Sequence, residues 1–315
     1  MRRWASMISI FAVVACESFG AGSPPDDSGT LDGGITPDAA VADRDASSAV
    51  PACDRSKPFG APRLVEAIAS DSIEGGGSLS PDGRLLLYHS NRNTGDERRE
   101  LFVAERPSPD APFEAGKPIV VMERMQSMND PHLLPDGTLL FSVAAASGLL
   151  HIESATLTAE RTLANRATLP ALESSIGETV QPYVTGSRLY VASNRGDGYH
   201  IYASERRTDG ELGPPARVEE LVGSGWDWRP VVTPDDLTIY FSRSPSADMS
   251  GLDVYVARRT SPNDKFGPPE RVAELSAPGV SDSPTWVSAD ECTIYFESKR
   301  RPNSNGDVWM AERLR

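Results

Sequence analysis

Positive charge is in short supply: 31 Lys and Arg stand against 45 Asp and Glu in 315 residues, a formal net charge of −14. Neutralising a phosphate backbone takes a basic surface, so a nucleic-acid partner is excluded and an anionic ligand is disfavoured. The sequence has no HExxH, no CxxC pair, no phosphate-binding glycine loop and no GxSxG elbow. Its four histidines, His89, His132, His151 and His200, are scattered instead of standing at ligand spacing. Neither a metal nor a cofactor is expected. Long apolar runs are missing as well, the one near the start, Met7 to Ala15, being too short to cross a bilayer. Long helices are opposed by 26 Gly and 26 Pro. What apolar residues there are form short runs of Val, Ile, Leu, Tyr and Phe, which predicts an all-β fold.

The first residues read as an address. Arg2 and Arg3 precede the apolar run, which ends in VVAC, Val13 to Cys16. This resembles the bacterial lipobox, in which the cysteine is lipidated and becomes the mature N-terminus; residues 1–16 are then the signal segment and Cys16 the anchor. Glu17 follows where Asp would retain the protein in the inner membrane, which favours the outer membrane. Residues 17–52 hold Asp26, Asp27, Asp32, Asp38, Asp43 and Asp45 against Arg44 and have almost no large apolar side chains. Such a segment cannot bury enough surface to fold and is expected to act as an extended tether with a reach of roughly 30 Å. Residues 53–315 form the folded region.

Within the folded region a single phrase recurs: SPDGRLLLYHSNR from Ser80, LPDGTLLFSV from Leu134, VTGSRLYVASNR from Val184, TPDDLTIYFSR from Thr233 and SADECTIYFESKR from Ser288. Aligning Tyr88, Phe141, Tyr190, Tyr240 and Tyr295 gives a period of about fifty residues. A second column holds Phe102, Tyr202, Tyr255 and Trp309, with Glu153 breaking it in the second repeat. A third column is FGAPRLVEAI, LGPPARVEEL and FGPPERVAEL, with FEAGKPIVVM as a weaker copy. Four strands in fifty residues make one propeller blade, and a blade must repeat until a ring closes, because alone it cannot bury both faces. Five blades are expected. Six would need strands that the chain has no room for.

The SPDGRLLLYHSNR and LFVAER pair, and its copies ending in DVYVARR and DVWMAER, resemble the WD40-like (PD40) repeat of TolB-type periplasmic proteins, especially myxobacterial-style lipoproteins. That resemblance implies a cell-envelope propeller and is nearly silent on activity, since propellers of this kind serve as binding platforms and as enzymes. The folded region opens with a spare outer strand and ends with a third strand, so an N-terminal strand should close the ring. With Cys16 lipidated, Cys53 and Cys292 remain. Both fall on the face that carries the PDG turns, which predicts a disulfide; two unrelated thiols are the alternative.

The opposite face is built from the loops that enter each inner strand. These carry Glu74, Asn129, Asp130, Glu178, Trp226, Asp227, Trp228, Arg229 and Asp282, and are the candidate ligand-binding residues. Trp226 and Trp228 either stack on a sugar or grip a peptide, or they pack between blades. The basic residues closing the second strands, Arg92, Arg195, Arg243 and Lys299 or Arg300, either bind a carboxylate or pair with an acid of the neighbouring blade. Arg195-Gly196-Asp197 spells an adhesion triplet but reads better as a hairpin turn. The expected function is a monomeric, non-enzymatic platform for an envelope protein, peptide or glycan. A glycan-cleaving enzyme using Glu74, Glu178, Asp227 or Asp282 is the alternative, and a structural repeat without a ligand is the third.

Overall fold

A computed structural model describes residues 53–121, 127–144, 148–208, 210–246 and 250–314. The lipobox with Cys16 and the segment through residue 52 lie outside the described residues. The five repeats form five four-stranded antiparallel sheets. Blade 1 comprises Glu74–Leu79, Leu85–Ser90, Glu100–Glu105 and Lys117–Pro118; blade 2 comprises Met128–Leu133, Thr138–Ala144, Leu150–Leu157 and Leu163–Thr168. Blade 3 comprises Thr179–Val184, Arg188–Ser193, His200–Glu205 and Ala216–Arg217, and blade 4 Asp227–Val232, Thr238–Arg243, Asp253–Arg258 and Glu270–Arg271. Blade 5 comprises Asp282–Val287, Thr293–Ser298 and Asp307–Glu312, completed by Arg63–Leu64. Each innermost strand packs on the next and the last packs on the first, so the sheets close into a five-bladed propeller.

The N-terminal closure is as expected. Arg63 pairs with Met310 and Leu64 with Trp309, while the Gly60 N–H donates to the Glu312 carbonyl at 2.7 Å. Cys53 and Cys292 are joined by a disulfide with Cα atoms 5.6 Å apart. The PxRVxEL segments differ from the expectation of full strands. Only two residues of each pair with the blade, and the VEAI, VEEL and VAEL ends turn into short 3-10 helices at Glu66–Ile68, Glu219–Leu221 and Ala273–Leu275. Each buries its last apolar residue, Ile68, Leu221 or Leu275. Blade 2 lacks that motif and uses the longer strand Leu163–Thr168 instead.

The aromatic column is shifted by one residue in blades 3 to 5. The residues opposite Phe102, Glu153, Tyr202, Tyr255 and Trp309 are Tyr88, Phe141, Val191, Phe241 and Phe296. Tyr190, Tyr240 and Tyr295 therefore point to the other face of their sheets, because side chains alternate along a strand. The reason lies in the next blade. Tyr190 donates its hydroxyl to Asp236 at 2.7 Å and Tyr240 donates to Glu291 at 2.9 Å. Asp236 and Glu291 occupy the turn position that is glycine in blades 1 and 2. All four turn residues are left-handed, with φ of 68° at Gly83, 83° at Gly137, 61° at Asp236 and 56° at Glu291. Two blades thus accept backbone strain at a turn in exchange for a carboxylate that joins it to the preceding blade.

Candidate functional site

Three of the candidate carboxylates open the inner strands and are wholly buried: Glu74, Asp227 and Asp282. Each is bound by the arginine at the end of its own blade's second strand, Arg92 to Glu74 at 3.0 Å, Arg243 to Asp227 at 2.7 Å and Arg300 to Asp282 at 2.8 Å. The same guanidinium donates to the carbonyl that ends the preceding 3-10 turn, at Ile68, Leu221 or Leu275, and lies over the blade's aromatic column. The recurring arginine thus pairs within its blade and not with an acid of the neighbour, because the strand end and the inner-strand start are adjacent in the hairpin. In blade 3 Thr179 replaces the acid, and Arg195 donates to its hydroxyl at 2.8 Å and to the Leu172 carbonyl at 2.9 Å. Asp197 pairs with Arg217 at 2.9 Å, so the adhesion triplet is built into the turn. In blade 2 Arg166 comes from the fourth strand to lie over Phe141 and bind Glu153, which accounts for the acid in the aromatic column.

Glu178 receives the Tyr199 hydroxyl and, at 3.3 Å, the Leu150 N–H. Trp226 and Trp228 meet the Tyr199 ring edge-on, with centroids 5.7 and 4.0 Å away. Both are half-buried at the junction of blades 3 and 4, so much of their apolar surface is already used.

Asn129, Asp130 and Arg229 stand nearer the axis. The inner strands all carry a bulge there, between Gly75 and Ser78, Asn129 and His132, Val180 and Tyr183, Trp228 and Val231, and Pro284 and Trp286. In blades 2 to 4 the bulge holds a non-glycine residue at positive φ followed by proline: Asp130 (52°), Gln181 (58°) and Arg229 (51°). These side chains line the waist of the channel, a space of only about 30 Å³. Arg229 reaches Asp130 at 3.3 Å and Glu297 at 2.8 Å, and its N–H donates to the Gln181 amide oxygen at 2.8 Å. Arg99 donates to Asn129 at 3.0 Å. Burial pushes the Asp130 carboxyl up, against the pull of Arg229.

His89, Gln181 and Glu297 complete this cluster, and they were not among the residues expected from the motifs. The signal was the glycine run in SDSIEGGG. A Cβ at Gly75 would sit 2.1 Å from Glu297 Oε2 and 2.5 Å from His89 Nε2, so glycine leaves the room in which those two side chains meet. The second signal was the X-Pro step shared by NDP, VQP and WRP, each marking a bulge on the axis.

On the turn side of the waist the channel widens into a bowl of about 460 Å³. Its wall is apolar, with Leu79, Leu133, Val184, Val232 and Trp286, and His132 is shared with the waist. His132 Nε2 accepts the Val184 N–H at 3.2 Å, which places the ring proton on Nδ1, where it has no partner. A second space of about 570 Å³ runs outward from the bowl between blades 5 and 1, sharing Leu79, Pro81, Trp286 and Ala289 with it. Among the described residues no group of three His, Cys, Asp or Glu is placed to hold a metal ion.

Burial pushes His132 down to about 4 and His89 well below the usual histidine range. Both are neutral in the fold and basic when unfolded, so the unfolded chain takes up protons first and stability falls as pH drops from about 6.5 toward 4. For His132 the loss between pH 7 and 4.5 is about 2 to 3 kcal/mol. In urea titrations at those two pH values a His132→Gln chain is expected to lose clearly less stability than the parent, by about that amount; equal acid sensitivity in both chains would contradict the assignment.

The sequence matches no protein-family model and no curated protein. Among solved structures the chain is similar to the GH43_1 enzyme of Xanthomonas citri complexed with xylotriose, at 13% identity and a TM-score of 0.55, over 80% of this chain and 89% of that one. It is also similar to a thermostable family-43 glycoside hydrolase, at 14% identity and a TM-score of 0.54, over 79% of this chain and 91% of that one. A TolB-type protein from Agrobacterium tumefaciens shares 16% identity with a TM-score of 0.45, over 75% of this chain and 73% of that one. At these identities the likeness is one of fold.

Proposed function

We propose that this chain is a non-enzymatic binding propeller of the bacterial cell envelope, a monomer anchored by lipid at Cys16, with the PD40-type repeat as its scaffold. It engages an envelope protein, peptide or glycan and uses neither nucleic acid nor a cofactor. The reading rests chiefly on the arginines. Glu74, Asp227 and Asp282 are each neutralised by one, and Asp130 and Glu297 share another. A glycosidase needs one protonated acid and one free carboxylate, whereas each of these carboxylates already has an arginine as its partner. The turn face holds open space, and this reading puts the ligand there rather than on the loop face that carries Trp226 and Trp228.

One observation favours the enzyme. Asp130 and Glu297 both touch one Arg229 nitrogen, which puts their oxygens within about 6 Å, a working distance for paired glycosidase carboxylates. The full chain is therefore tested against xylotriose and against aryl glycosides of xylose, arabinose, galactose and mannose. No sugar release above buffer is expected. Release that disappears in Asp130→Asn or Glu297→Gln would replace the binding reading with the enzymatic one.

A further inference from the structure

The two connected spaces on the turn face differ in character. The axial bowl is lined mainly by aliphatic side chains and prolines, with Asp136 and Arg206 as its charged members and the ring of His132, a residue more than nine-tenths buried, beside its floor. The space between blades 5 and 1 is acidic: Asp82, Asp110, Asp290 and Glu312 line it and are exposed, against Arg106 as the one base among the described residues of its lining. Arg106 is already occupied, donating to the Gly83 carbonyl at 2.6 Å with its guanidinium 4.3 Å above the Phe113 ring. Glu312 has an exposed partner in Arg63. Asp82 and Asp290 each use one oxygen to hold their turn and keep their charge. Trp286 stands where the two spaces join, half-exposed and edge-on to Tyr295 at 5.8 Å.

We propose that the turn face binds an extended peptide that places an apolar side chain in the axial bowl and lysine or arginine side chains along the blade 5 to blade 1 groove, across Trp286. This rests on the binding reading above and names its ligand class. The apolar wall selects the anchor, because taking an aliphatic or aromatic side chain out of water is favourable. The acidic groove selects the flanking charge, and the face of an indole is a further attraction for a cation. An extended chain turns successive side chains to opposite sides at about 3.3 Å per residue, which suits two sites of different chemistry joined in line.

The test is calorimetric titration of the full chain with an end-blocked heptapeptide of alternating lysine and leucine, the same peptide with glutamate for lysine, and xylotriose. The lysine peptide is expected to bind and to weaken about tenfold from 50 to 300 mM salt, as charge attraction is screened. The glutamate peptide should not bind. Trp286→Ala should abolish binding. Because Trp286 also packs on Tyr295, the exposed Asp110→Lys is the companion variant, expected to weaken binding about threefold to tenfold with unchanged unfolding. No binding of the lysine peptide, equal binding of both peptides, or affinity unchanged in both variants would overturn the proposal. Xylotriose bound without turnover in place of the peptide would overturn it while leaving the binding reading intact, whereas turnover would sink the binding reading itself.

Discussion

An Asp236→Ala chain is expected to lose about 3 to 5 kcal/mol of unfolding free energy, the range for stripping one partner from a buried ion pair. Asp236 is 2% exposed and takes the Tyr190 hydroxyl at 2.7 Å, Arg188 at 2.6 Å and Arg259 at 2.7 Å. Removing the carboxylate leaves two guanidinium groups and a phenol facing each other without an acceptor at the junction of blades 3 and 4. Alanine also keeps the strained left-handed backbone. Asp236→Gly separates the two effects, since glycine occupies this position in blades 1 and 2, and it should be less destabilising than alanine by about 1 kcal/mol. Urea unfolding of the three chains at pH 7 decides the matter. Alanine and glycine variants both within about 1 kcal/mol of the parent would mean that the carboxylate contributes nothing net.

Cys292→Ser should be as costly. The N-terminal segment pairs with blade 5 through only Arg63 and Leu64 and a single bridge from Phe59 to Arg313, so few ladder hydrogen bonds close the ring. The disulfide spans 239 residues, and a loop of that size is worth about 5 kcal/mol in the chain-entropy account. What remains without it includes the burial of Phe59 under Arg313, 4.1 Å from the ring centroid, and of Ile68, the Arg313 bond to the Lys57 carbonyl at 2.7 Å, and the Arg55–Glu291 and Arg63–Glu312 ion pairs. The expected result is a lower urea midpoint and faster proteolysis between residues 53 and 63, with the blade repeats themselves intact longer. A variant as stable and as protease-resistant as the parent would assign closure to these non-covalent contacts.

The ring, the blade number and the closure were readable because they depend on period and strand order, which the chain repeats openly. Side-chain facing was less readable. SNR, SR and SKR end the second strands at different offsets, and anchoring the alignment on tyrosine shifted three blades by one residue. The loop-face acids were legible as a set but not as partners, since an arginine sixteen or eighteen residues away comes opposite them only once the hairpin register is fixed. Glu297 and His89 reach the axis through space that Gly75 and Gly76 leave empty, and an absent side chain is a weak signal in a sequence that is rich in turns.

Hydroxyl-radical footprinting of the tryptophans, with and without an extract of the source cell envelope, decides which face holds the ligand, because the two faces carry different reporters. Trp286 marks the turn face, and Trp226 and Trp228 mark the junction of blades 3 and 4 on the loop side. Protection of Trp286 with Trp226 and Trp228 unchanged is the expected result. Protection of Trp226 and Trp228 with Trp286 unchanged would place the ligand on the opposite face and refute the turn-face site.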